Sequence, residues 1–275
     1  MTRGDDPLHR HKLRTLELLV HLANAILQDL QKAFLSDRQT VIALAFRQCA
    51  EFADAVHLLS TEAISGPAAS LARTCIETAA HCAFLTHDDS AIRVAAYEVS
   101  SYLAELQSLQ KRLDTPTCGE QDRQDLEALV SQITQALCDP NHSAPWRAAH
   151  DELRKQKGRI VWYEVDGGPR NIHEMLKRTD LGALSALYGD MNATVHGGNR
   201  HAIAAIEQAG TWLPGLRAPS PFASQNLFVA TVALHTATIN VTALCGESSP
   251  QTIRRFLDFG TDHERRMREV GWLTN

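Results

Sequence analysis

Aromatic residues make up only 6% of this 275-residue chain, and no large surplus of either charge is present, the net charge being −5. That balance excludes a broad, constitutive nucleic-acid surface, which needs a basic surplus, but leaves room for a local basic groove. No uninterrupted run of eighteen apolar residues occurs, so no membrane span is expected. The opening MTRGDDPLHRHKLR lacks the apolar core of a signal peptide. Phosphate-loop (GxxxxGKS/T), dinucleotide (GxGxxG), nucleophile-elbow (GxSxG) and zinc-protease (HExxH) motifs are missing, which removes the commonest cofactor-bearing enzyme classes. Internal repeats, low-complexity tracts and a clear interdomain linker are missing too. Six cysteines occur, with no CxxC pair among them: Cys49, Cys75, Cys82, Cys118, Cys138 and Cys245. Several fall on apolar helical faces, so the expectation is buried free thiols in a reducing cytoplasm.

What the chain has is helical periodicity. Apolar residues recur at three- and four-residue steps through 8–35, 38–60, 66–87, 90–113, 120–138 and 222–245. Shorter helices are expected at 144–156, from Asn171, and from Asp180 to His196, with a charged helix over 249–270. The run Lys155 to Arg170 is the exception. Its β-like stretch Ile160 to Val165, closed by Asp166-Gly167-Gly168, reads either as a small hairpin or as an irregular covering arm near 158–168. The fold class is therefore all-α: a single-domain bundle of about eight to ten helices spanning 1–275. Helix 222–245 is expected to be central, because it is apolar nearly all round.

The most informative stretch is 65–87. Gly66-Pro67 provides a break and a proline suited to the first turn, and an almost uniformly apolar helix follows. Arg73, Glu77 and His81 interrupt it at four-residue steps, so they share one stripe. Polar groups on a buried helix need partners. The best candidates are Tyr188, Asn192 and His196, again four apart, on a helix that ends at Gly197-Gly198. A histidine at a helix C-terminus is most simply a cap, but a glycine pair behind it lets a ligand or backbone approach closely. Glu77 with His81, and His196 with His201, have spacings that could share a metal ion, yet the carboxylate set of a bundle metal site is lacking. No metal and no cofactor are expected. The arginines of the last helix alternate with acids and read as a solvated mixed-charge face.

With the ARxxxE helix, the following FLTHDD turn and the Y…N…VHGG helix end in hand, the chain resembles a bacterial domain family of unknown function that is grouped with the HEPN-like helical bundles. The matching residues are Arg73, Glu77, Trp162, Tyr188, Val195 and His196, within about 60–200, leaving helices 8–60 and 222–270 to pack on that core. One position departs: Asn192 stands where the family carries a serine. The resemblance implies a cytoplasmic homodimer acting on RNA, or else on a partner protein. In that reading His196 is the general acid/base and Arg73 the phosphate clamp. Glu77, Tyr188 and Asn192 support them, and Arg200, His201 and Trp162 bind substrate. The Arg-x(4–6)-His motif of HEPN ribonucleases is not cleanly present, since Arg73 and His81 are too far apart and His196 precedes Arg200. The competing expectation is a non-catalytic protein- or ligand-binding module in which Arg73, Glu77, Tyr188 and His196 form a network that only locks two helices together.

Overall fold

The computed structural model describes residues 7–87, 91–115, 119–156, 159–195, 223–246 and 248–269, with side chains described except at 192–195, 263–264 and 266–269. Among these residues the chain is all-α, with no strand. In chain order the helices are α1 (Pro7–Leu30), α2 (Asp37–Thr61), α3 (Ser65–His87), α4 (Ala91–Leu113), α5 (Glu120–Leu137), α6 (Ala144–Lys155), α7 (Ile172–Lys177), α8 (Ser185–Val195), α9 (Ala223–Cys245) and α10 (Pro250–Glu269). Short 3-10 turns lie at Trp162–Gly167 and Gly182–Leu184. Their contacts divide into two compact units, 1–88 with 172–275, and 89–171.

In the first unit, α2, α3 and α9 pack on one another most extensively, and α1 covers α2 and α9. Composition explains the closeness. Along α3, Ala68, Ala69, Ala72, Ala79, Ala80 and Ala83 are buried, and such small side chains let neighbouring helices approach. Phe46 and Ile42 of α2, Ile76 and Leu85 of α3, and Leu227 of α9 fill the remaining space with almost no exposure. Each such side chain contributes about 1.5–3 kcal/mol by its removal from water. The Sγ atoms of Cys49 and Cys75 lie 3.6 Å apart inside this core. Cys82 and Cys245 are also buried free thiols, and burial holds the Cys82 thiol well above its ordinary pKa. Thiols kept protonated in this way are inert packing groups. Helix α9 is long and apolar enough to cross a bilayer by length and composition, but much of it is buried against α1, α2, α3 and α10. It also carries the buried polar residues Asn226, Thr238 and Asn240, whose side chains donate to the backbone oxygens of Ser65, Leu234 and Thr236.

The start of α2 works as a junction. Ser36 is its N-cap: the hydroxyl accepts from the Gln39 amide while Gln39 Oε1 accepts from the Ser36 amide, 3.3 and 3.0 Å. Gln39 Nε2 also donates to Leu244 O at 3.0 Å, and Arg38 Nη2 donates to Leu85 O and Thr86 O at 3.1 and 2.8 Å. One turn of α2 therefore satisfies carbonyls that α3 and α9 leave open at their C-termini.

The second unit is built on α4, which contacts α5, α6 and the 162–167 turn. The hairpin reading does not hold: no strand is present among the described residues there, and Trp162–Gly167 is a kinked 3-10 turn in which Asp166 and Gly167 adopt φ of 58° and 70°. Its backbone finds partners in side chains instead of a second strand. Arg93 donates to Val165 O and Asp166 O at 3.1 and 2.6 Å, and Gln156 pairs with both backbone groups of Val161 at 2.7 and 3.1 Å. Gly168 is required, because a Cβ there would stand 1.8 Å from Tyr163 O. Trp162 packs edge-on to Tyr97, with centroids 5.0 Å apart.

Replacing Ser36 by alanine removes the cap and loosens the junction. The expected cost is about 1 kcal/mol, read as a lower urea midpoint with an unchanged slope.

Candidate functional site

The polar stripe of α3 and the tyrosine of α8 meet inside the first unit. Arg73 and Glu77 are one turn apart on α3, with Nη2 to Oε1 at 2.8 Å. From α8, the Tyr188 hydroxyl donates to Glu77 Oε1 at 2.7 Å and accepts from Arg73 Nη2 at 3.2 Å. The three side chains thus close a triangle, and the guanidinium carbon also stands 5.3 Å from the centre of the Tyr188 ring, a cation–π distance. Local sequence positions α8 for this. Ser185, buried at its first turn, bonds the His173 ring of α7 at 2.8 Å through Nδ1. Asp180, where a helix running to His196 is expected to begin, instead pairs with His87 at 3.3 Å, and a 3-10 turn intervenes before α8 begins at Ser185.

The triangle is neither sealed nor fully open. The Arg73 and Glu77 side chains are 23% and 25% exposed, whereas Tyr188 is 7% exposed. Burial works against the Arg73 charge, but the bonds to Tyr188 and the Glu77 carboxylate outweigh it and hold the guanidinium above its ordinary pKa. Burial likewise raises the Tyr188 phenol, its donation to Glu77 adds to the shift, and the bond from Arg73 opposes it. At neutral pH the guanidinium is therefore charged and the phenol keeps its proton. The Nε–H of Arg73 is buried and has no hydrogen-bond partner among the described residues. A guanidinium presents its donors as a planar fork, so an unused buried Nε–H is capacity for one more acceptor.

Of the residues expected at a site, Arg73, Glu77 and Tyr188 come together. The backbone of α8 runs on through Val195, placing Asn192 one turn after Tyr188; its side chain, and all of His196, Arg200 and His201, lie outside the described residues. Trp162 belongs to the other unit, where it is 7% exposed and packed against Tyr97 and Tyr163 as a core side chain. Among the described residues no group of three or more His, Cys, Asp or Glu side chains is arranged to hold a metal ion.

Replacing Tyr188 by phenylalanine should cost about 1 kcal/mol by removing the bridging hydroxyl. It should also change the alkaline limb of stability. The folded phenol is raised above the ordinary value of 10.0, so the unfolded chain loses its proton first as pH climbs. Stability is then complete below about 10 and is lost as pH rises through the folded value. Unfolding free energy measured against pH should fall less steeply above that point in Tyr188→Phe than in the wild type.

A family model covers residues 39–209, which take in nearly all of α2 and α3 to α8, and so all three members of the triangle. No curated protein and no solved structure matches the chain. The matched span is well over half of the sequence, and the chain belongs to a family of unknown function, DUF5677.

Proposed function

We propose that the chain is a HEPN-like ribonuclease, of the toxin or defence-effector type, in which Arg73 grips a backbone phosphate and His196 moves the proton. The observation that supports this most is the unused, buried Nε–H of Arg73 beside a pair that remains a quarter exposed. Glu77 and Tyr188 occupy Nη2 and fix the plane of the guanidinium, so the covered Nε–H is a pre-oriented donor that an oxyanion reaches when the side chains over it move aside. Arg73 and Glu77 cancel in charge, and a phosphate gains most there if a second cation stands nearby. A protonated His196 supplies that charge, and a proton donor for the leaving 5′ oxygen. Attack by the neighbouring 2′-hydroxyl on phosphorus expels the 5′ oxygen: the hydroxyl's proton passes to water and His196 gives one to the leaving oxygen, leaving a 2′,3′-cyclic phosphate and a free 5′-hydroxyl. Asn192 supports the site, and Arg200 and His201, which follow in sequence, are assigned to holding the strand.

A second reading has an observation in its favour. The triangle is closed, each member satisfying another across more than a hundred residues of sequence, as in a clasp that only locks α8 to α3. The chain would then be a protein- or ligand-binding module. Purified protein incubated with single-stranded RNA, beside growth on induction in bacteria, separates the two. Under the ribonuclease reading His196→Ala lowers cleavage by about 10²–10⁴-fold. Arg73→Lys, which keeps the charge and loses the fork, lowers it by roughly 10–100-fold. RNA left intact by the wild type, or full cleavage by a folded His196→Ala protein, contradicts it.

A further inference from the structure

The outer face of α2 carries a pattern that packing within the chain leaves unused. Leu44 and Leu58 are 52% and 58% exposed. They stand two heptads apart on one helix, so they share a line, with Glu51 midway between them. At 1.5 Å per residue that line is about 21 Å long. Single exposed leucines are ordinary, but Leu44 also forms the edge of a groove of about 450 Å³ between α1 and α2. Leu27, Ala43 and Ala50 line the same groove, and the two alanines are too small to fill it. Phe34, in the connection from α1 to α2 and next to Leu35 of the groove, is fully exposed.

The charges on this face are ordered. Arg47 lies toward the N-terminal end and pairs with Glu51 at 2.8 Å, both side chains being about three-fifths exposed. Asp54 lies toward the C-terminal end and has no hydrogen-bond or ion-pair partner among the described residues. A second α2 laid antiparallel on the first, with a two-fold axis beside Glu51, brings Leu44 opposite Leu58 of the second copy. The same step brings Arg47 opposite Asp54 of that copy, and symmetry repeats both contacts. A parallel arrangement would set Arg47 against Arg47 and Asp54 against Asp54. Glu51, near the axis, keeps its own Arg47 as counter-ion.

From this we infer that α2 is the face through which two copies of this chain associate. The helices run antiparallel, and Leu58 of each copy sits against Leu44 at the edge of the other's groove. Two α1–α2 hairpins then make a four-helix bundle. An unrelated partner would need its own matching order of leucines and charges, whereas a second copy supplies that order by symmetry. The inference invokes neither Arg73 nor His196 and does not rest on the ribonuclease reading.

Sedimentation velocity over a dilution series of the full-length protein tests it. The wild type is expected to show a reversible monomer–dimer equilibrium. Leu58→Lys, at an exposed position, should leave the far-ultraviolet circular dichroism unchanged and raise the dissociation constant by about tenfold or more. Arg47→Glu and Asp54→Arg should each weaken the dimer, and the two together should restore it, because the exchanged charges face each other again. Should Leu58→Lys fold poorly, this charge exchange decides. A wild type that stays monomeric throughout leaves the face to a different partner and overturns the inference. So does a dimer indifferent to a folded Leu58→Lys, or a double variant no tighter than the two single ones.

Discussion

The structure of the first unit follows from one constraint: α3 is apolar on nearly every side and has to be covered on nearly every side. Its buried alanines allow α2 and α9 to approach closely, and those three helices hold most of the fully buried side chains of the unit. The face of α3 carrying Arg73 and Glu77 cannot be closed by another apolar helix, because a charge left there without a partner costs far more than the packing returns. Helix α8 closes it with a hydroxyl. Tyr188 brings a large ring to cover the stripe and a polar tip that both accepts from Arg73 and donates to Glu77.

That solution has a chemical consequence. The Arg73–Glu77 pair on its own is an i,i+4 surface-type contact worth a few tenths of a kcal/mol. Three-quarters burial and the shared phenol turn it into a site with one defined guanidinium orientation. Rigid placement is what separates an anion clamp from a solvated arginine, and Arg73 has it without having spent all its donors. Within the triangle, burial and the bond to Glu77 hold the Tyr188 phenol above its ordinary pKa, and the Arg73 guanidinium stays charged.

Much of the fold was legible in the sequence for physical reasons that are local. Gly66 with Pro67 acts within one turn of itself, and α3 begins at Ser65, one residue from the expected 66; the periodicity over 38–60 likewise finds α2 at Asp37–Thr61. The meeting of Arg73 and Glu77 with Tyr188 was legible as well, because four-residue steps on two helices leave a polar stripe looking for a polar stripe. Features settled by distant side chains were not. Ile160 to Val165 has strand-like composition, but its backbone is claimed by Arg93, 72 residues away, and by Gln156. The Cys49–Cys75 contact joins two helices whose register the pattern of apolar residues does not fix. Asp180 looked like the start of a helix because such starts are read locally, and it turns instead to His87 at the end of α3.

The central claim is that Arg73 is held by Glu77 and Tyr188 with its Nε–H available to a phosphate. Nuclear magnetic resonance of arginine Nε–H groups addresses this directly, with a non-cleavable RNA dinucleotide titrated into the wild type and into Tyr188→Phe. The account predicts one slowly exchanging Nε–H resonance, absent from Arg73→Lys, that shifts and saturates with the dinucleotide. In Tyr188→Phe that resonance should broaden and need a higher concentration to saturate. An Arg73 resonance that does not move while the dinucleotide binds elsewhere, or no binding at all, would contradict it.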